Sequence, residues 1–179
     1  MDPRGGPFDE GARRDPPPAH ARAPRGLSVA ADPRHFEDFA VGERFTTPAI
    51  EVTTEEIVAF ATRFDPQYFH TDPEAAPGSV FGAHVASGWH TAALTMRLWH
   101  DHSPSVQGGL VGLGVEELRW GPLRGGDRIH VVGEVVETRP SRSGAPRGVV
   151  RLRVRTLSDR DVEVQHMVTA ILVPAREAR

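Results

Sequence analysis

The hydrophobic pattern changes period once along this chain, and that change restricts the fold more than any other feature. Ile57, Phe60, Ala61 and Phe64 recur at i, i+3, i+4 and i+7, the apolar face of a short helix. Over residues 87–100, Trp89, Ala92, Ala93, Leu94, Met96, Leu98 and Trp99 predict a second helix. It has so little polar surface that it should be buried on most sides. After residue 100 the period falls from 3.6 to 2. Strands are predicted near residues 110–119, 127–138, 149–157 and 161–173. In the third, Val150, Leu152, Val154 and Thr156 alternate with Arg151, Arg153 and Arg155, so one face packs and the arginine face meets solvent. A further strand over residues 45–52 precedes the helices. The order is strand, helices, four strands, an α+β pattern. A curved antiparallel sheet wrapped around a buried central helix satisfies it, the arrangement known as the hot-dog fold. Its edge strand is free to pair with a second subunit, so a homodimer or higher homo-oligomer is expected.

Local signals place the joints. Thr53 or Thr54 is the predicted N-cap of the first helix, with Glu55 and Glu56 where the helix dipole favours acids. That helix must stop before Pro66, because a residue preceding proline is biased away from helical geometry. Thr71-Asp72-Pro73-Glu74-Ala75-Ala76 reads as one capped helical turn, with Pro73 at its first position. Pro77-Gly78-Ser79 then breaks the chain. Residues 141–148 predict an exposed turn, residues 158–161 a tighter one, and Gly125-Gly126-Asp127 a hairpin turn. Gly108-Gly109-Leu110-Val111-Gly112 completes no phosphate-binding fingerprint and reads as a turn into a strand. Residues 1–34 hold seven prolines and six arginines with almost no apolar periodicity, and predict a disordered tail. A single domain is expected over residues 35–179.

Composition excludes several chemistries. The net charge of −3 argues against a general nucleic-acid binder. No apolar run approaches the roughly 20 residues of a membrane span, and the N-terminus lacks the apolar core of a secretory signal. A cytoplasmic protein is expected. Without cysteine there is no thiolate nucleophile, and all 21 basic residues are arginine, so Schiff-base lysine chemistry is also absent. Proton chemistry falls to Asp, Glu and His.

Asp65 and His70, five residues apart beside Pro66, form the strongest acid–base candidate. Phe64, Phe69 and Phe81 are placed to surround them with apolar groups. Desolvation there should raise the Asp65 pKa and lower that of His70. His84, His90, His100 and His102 sit at no recognised metal spacing, so no metal site is expected. Ser87 lacks the flanking glycines of a G-x-S-x-G elbow and reads as a helix cap or substrate contact. Arg151, Arg153 and Arg155 read as a solvated strand face in preference to a phosphate-binding site.

Two motifs carry a resemblance. Phe64-Asp65-Pro66-Gln67-Tyr68-Phe69-His70-Thr71-Asp72, followed by Phe81-Gly82-Ala83-His84-Val85-Ala86-Ser87-Gly88-Trp89-His90-Thr91, resembles the signature of MaoC-like dehydratases, a family that includes (R)-specific enoyl-CoA hydratases. Phe36-x-x-Phe39-x-Val41-Gly42-Glu43 and Arg119-Trp120-x-Pro122-Leu123-x-x-Gly126-Asp127 resemble it as well. The resemblance implies that Asp65 and His70 are catalytic, with His70 as base and Asp65 as acid. It implies a Gly88 backbone N–H facing the thioester oxygen, with Ser87 and Gln67 also contacting substrate; Gly88 equally suits close helix–sheet packing. The implied reaction is reversible hydration of a 2-enoyl thioester of coenzyme A or acyl-carrier protein to the (R)-3-hydroxyacyl product, with no cofactor beyond the coenzyme A of the substrate. The family pattern D-x-N-P-x-H has Asn and Pro where this chain has Gln67 and Tyr68, and its usual His before the glycine is Ser87 here. A hot-dog thioesterase and a non-catalytic acyl-CoA-binding subunit are the alternative readings.

Overall fold

The computed structural model describes residues 32–142 and 145–176. The predicted tail over residues 1–34 therefore lies outside the described residues except for its last three. Of these, Arg34 belongs to the fold. Its N–H donates to Ser105 O, and its guanidinium grips both Glu43 oxygens at 2.7 and 2.8 Å while lying over the Phe39 ring.

The chain runs β1 (Arg44–Thr46), β2 (Ile50–Glu51), α1 (Thr54–Phe64), α2 (Tyr68–Thr71), α3 (Gly88–His102), β3 (Val111–Trp120), β4 (Arg128–Pro140), β5 (Arg147–Ser158) and β6 (Glu163–Pro174). The strands form one antiparallel sheet in the order β1-β4-β5-β6-β3, with β2 also on β4. α3 lies on the inner face, and this is the hot-dog arrangement.

Three expectations are corrected. The single strand over residues 45–52 is two short strands, because Pro48 has no N–H for the ladder. Thr47 bridges the gap: its N–H donates to Val131 O, and its hydroxyl accepts from Val131 N–H. The turn Gly125-Gly126-Asp127 closes no hairpin, since β3 pairs with β6 and the chain must cross the sheet to reach β4. Turn chemistry identifies a reversal but not the strand that follows it. Finally, α3 is buried on one side only. His90, Thr91, Thr95, Leu98 and Trp99 are covered, whereas Trp89 is 60% and Met96 54% exposed.

The helix signals hold. Thr53 and Glu56 form a reciprocal capping box at the start of α1, with bonds of 3.0 and 3.1 Å. The Asp72 carboxylate accepts from the N–H groups of Glu74 and Ala75, capping the turn that Pro73 begins. Buried hydroxyls under α3 are satisfied in a chain. Thr95 donates to Thr91 O at 2.8 Å, so the 2.6 Å contact to Thr156 on β5 must be donated by Thr156.

The core joins Val52, Ile57, Leu98 and Trp99 to Leu123, Ile129, Val131, Val135 and the inward residues of β5 and β6. On the outer face Arg151 pairs with Glu116 and Glu137, Arg153 with Glu134, and Arg155 with Glu163. Exposed pairs of this kind add little stability. They do show that the arginine stripe is committed across strands.

Trp99 reaches the sheet because β4 has a glycine beneath it: a Cβ on Gly133 would stand 2.1 Å from the indole ring. Gly133→Val should therefore destabilise the fold by about 1–3 kcal/mol through overpacking. Urea denaturation checks this, and a change below about 0.5 kcal/mol would refute the close approach.

Candidate active site

α1 ends at Phe64, and Asp65 caps it with φ −152° and ψ 68°, its N–H still donating to Ala61 O. Pro66 forbids continuation. The chain then turns into α2, so His70 sits on a short helical turn. α2 starts at Tyr68, the position where the family pattern has Pro. Proline suits the first residue of a helix, but its N–H is dispensable there for any residue, so Tyr68 leaves the turn intact.

This turn brings the pair together. His70 is 5% exposed, and its Nε2 lies 3.5 Å from Asp65 Oδ2. Its Nδ1 is 2.8 Å from Val85 O. A carbonyl oxygen only accepts, so Nδ1 carries a proton and Nε2 is the nitrogen that exchanges protons toward Asp65. The Phe69 ring stands edge-on to the imidazole at 4.5 Å and packs on Phe81 at 5.3 Å. Phe64, the third aromatic expected in this wall, points outward at 61% exposure and packs on Phe60.

Asp65 is held by donors. Gln67 Nε2 donates to Oδ1 at 2.8 Å, so the amide of the family's Asn is preserved by a longer side chain. The Ser87 hydroxyl also favours the ionised form of this carboxylate. Burial pushes the Asp65 pKa up, but Ser87, Gln67 and the facing His70 together outweigh it and hold the carboxyl below the usual range. The raised Asp65 pKa expected from an apolar pocket is thus reversed.

Ser87 also caps α3, accepting from Trp89 N–H at 3.2 Å. Gly88, the first residue of α3, has no protein acceptor for its N–H among the described residues. The packing reading of this glycine applies. A Cβ there would stand 2.4 Å from the Trp120 ring, so packing alone forbids a side chain, and the unpaired N–H still stands one residue from Ser87. The Val85 carbonyl and Trp120 were not singled out from sequence. A main-chain acceptor leaves no residue-type signal, and Trp120 arrives from β3, more than thirty residues away.

The other histidines do not converge. His90 stacks on Phe60 at 4.7 Å, and burial lowers its pKa against the opposing pull of Glu56. Among the described residues no group of three His, Asp or Glu is placed to hold a metal ion. No helix of the described residues is long and apolar enough to cross a membrane.

A model of the MaoC like domain matches residues 37–156, which contain the whole site. The chain belongs to the MaoC-like dehydratase family. It is 42% identical to the MaoC-like dehydratase from Rhodospirillum rubrum, whose crystal structure superposes with a TM-score of 0.77 over 81% of this chain and 99% of that one. It is 30% identical, over 59% of this chain and 72% of the relative, to 3-hydroxyacyl-thioester dehydratase Z of Mycobacterium tuberculosis. The (R)-hydratase PhaJ1 from Pseudomonas aeruginosa, 24% identical, shares the fold with a TM-score of 0.63 over 79% of this chain and 86% of that one.

Because Ser87 helps hold Asp65 ionised, Ser87→Ala should raise the Asp65 titration midpoint. Carbon-13 NMR of the Asp65 carboxyl across pH checks this; an unmoved midpoint would remove Ser87 from the site.

Proposed function

We propose that this MaoC-like chain is a hydro-lyase that reversibly adds water to a 2-enoyl thioester of coenzyme A or acyl-carrier protein, giving the (R)-3-hydroxyacyl product. The observation that carries the reading is the Asp65–His70 pair, set beside an unpaired helix-terminal N–H at Gly88. The dehydratase name of the Mycobacterium tuberculosis relative supports the same class of reaction.

The roles follow from the hydrogen bonds. Asp65, held as a carboxylate, takes a proton from water as the water oxygen bonds to C3. In this step His70 acts as the imidazolium, its Nδ1–H committed to Val85 O and its Nε2–H directed to the Asp65 side, and it delivers the Nε2 proton to C2. This reverses the order suggested by the sequence, where His70 is the base. Electron density pushed onto the thioester oxygen during addition is met by the Gly88 N–H at the positive end of α3, a kind of contact typically worth a few kcal/mol. The pair regains its starting state when the proton from water passes from Asp65 to His70, so no further reactant is needed. Dehydration runs the same steps backwards.

We also propose a homodimer. β3 lies at the sheet edge with Val111, Leu113 and Val115 between 50% and 54% exposed, and the open side of α3 adds Trp89 and Met96. An apolar edge strand of this kind is normally covered.

Asp65→Asn and His70→Ala should each lower turnover by about 10²–10⁴-fold, followed as loss of enoyl-thioester absorbance, with the circular dichroism spectrum unchanged. Wild-type rates in both variants would overturn the reading, and release of free thiol would identify a thioesterase instead. Light scattering should give twice the 19.5 kDa chain mass. Leu113→Glu should halve it; an already monomeric wild-type chain would dismiss the dimer.

A further inference from the structure

The helical turn that carries His70 is too short to satisfy itself. α2 has four residues, and after Asp72 N–H bonds to Tyr68 O, the carbonyls of Phe69 and His70 have no donor within the helix. Both find one in the same two-residue segment. Val85 N–H donates to Phe69 O at 3.3 Å, and His84 Nε2 lies 2.9 Å from His70 O. The oxygen only accepts, so His84 carries its proton on Nε2 and is the donor. His70 returns the contact through Nδ1–H to Val85 O at 2.8 Å. Three hydrogen bonds therefore tie residues 69–70 to residues 84–85, and Ala86 N–H on Leu123 O ties that segment to the residues after β3.

We infer that His84, by donating its ring N–H to the His70 main-chain carbonyl, is a positioning residue that holds the His70 ring at its working distance from Asp65. The inference rests on the hydratase reading above. At the entry to α2 the turn is held through Gln67, whose side chain grips Asp65 and whose carbonyl accepts from His70 and Thr71 N–H. At its exit the Thr71 hydroxyl donates back to Gln67 O at 3.2 Å, and the one side chain from outside the turn that bonds to it, among the described residues, is that of His84. Without this donor the His70 carbonyl is left partly buried and unpaired, and the turn relaxes to find another partner. His70 then keeps its chemistry but loses its registration with Asp65. A displacement of about 1 Å in a reacting group costs on the order of 10²-fold in rate while leaving substrate contacts in place.

The test compares His84→Leu with His84→Gln, whose amide N–H restores a donor. His84→Leu should lower kcat about 10- to 100-fold on a short 2-enoyl-CoA, with KM within about twofold and little change in Tm. His84→Gln should recover most of the lost kcat. Unchanged kcat in folded His84→Leu would overturn the inference, as would equal losses in both folded variants or a loss that follows Tm. If His84→Leu does not fold, His84→Gln decides alone: near-wild-type kcat supports the role and a large loss refutes it. Asp65→Asn and His70→Ala run alongside. Full activity in those variants brings down the hydratase reading itself, and this inference with it; their inactivity beside an active His84→Leu brings down the inference alone.

Discussion

The buried imidazole of His70 is tolerable only because its Nδ1 proton is accepted by Val85 O. Leaving that group unpaired would cost about 1–3 kcal/mol and would free the ring to choose its tautomer. The bond does more than satisfy a donor. It selects Nε2 as the nitrogen that faces Asp65, and it references the ring to a segment bonded at Ala86 to Leu123 O. The acid–base pair is thus aligned to the sheet-side framework through main-chain atoms, although both members sit on elements that contact the sheet little.

Ser87 links this alignment to the central helix. Its oxygen accepts the Trp89 N–H that begins α3, and its hydroxyl favours the ionised Asp65 carboxylate. One hydroxyl therefore caps the helix and stabilises the carboxylate, and the adjacent Gly88 exposes an N–H at the same helix end. α3 is in turn seated by three close contacts with the sheet: Trp99 over Gly133, Thr95 against Thr156, and Gly88 against Trp120. α3 cannot shift along the sheet without disturbing these three contacts.

Much of this architecture was legible in the residues. The two periods located α1, α3 and the four long strands, because alternation and helical spacing are local consequences of which face is buried. Thr53, Pro66 and Asp72 marked boundaries for the same reason: capping and proline geometry involve neighbours within a few residues. Asp65 and His70 were named from their spacing and Gln67, Ser87 and Gly88 from motif resemblance; the structure sets Gln67 and His70 against Asp65, with Ser87 and Gly88 at the start of α3. The division of residues 45–52 and the path after β3 were not legible. Strand pairing depends on which distant strand arrives alongside, and turn residues do not encode it.

The chain by itself determined the element types, the absence of thiol and lysine chemistry, and the pairing of a carboxylate with an imidazole across Pro66. Tertiary structure decided which His70 nitrogen bonds to Val85 O and how Asp65 is held. Burial alone argues for a raised Asp65 pKa, and the fold reverses this by bringing Ser87, Gln67 and His70 onto the carboxylate. It also decided that α3 keeps an open apolar side, because one sheet covers only one face of a helix. Donor counts around a buried charge, and the cover on a helix, are sums over residues far apart in sequence, so no local pattern contains them.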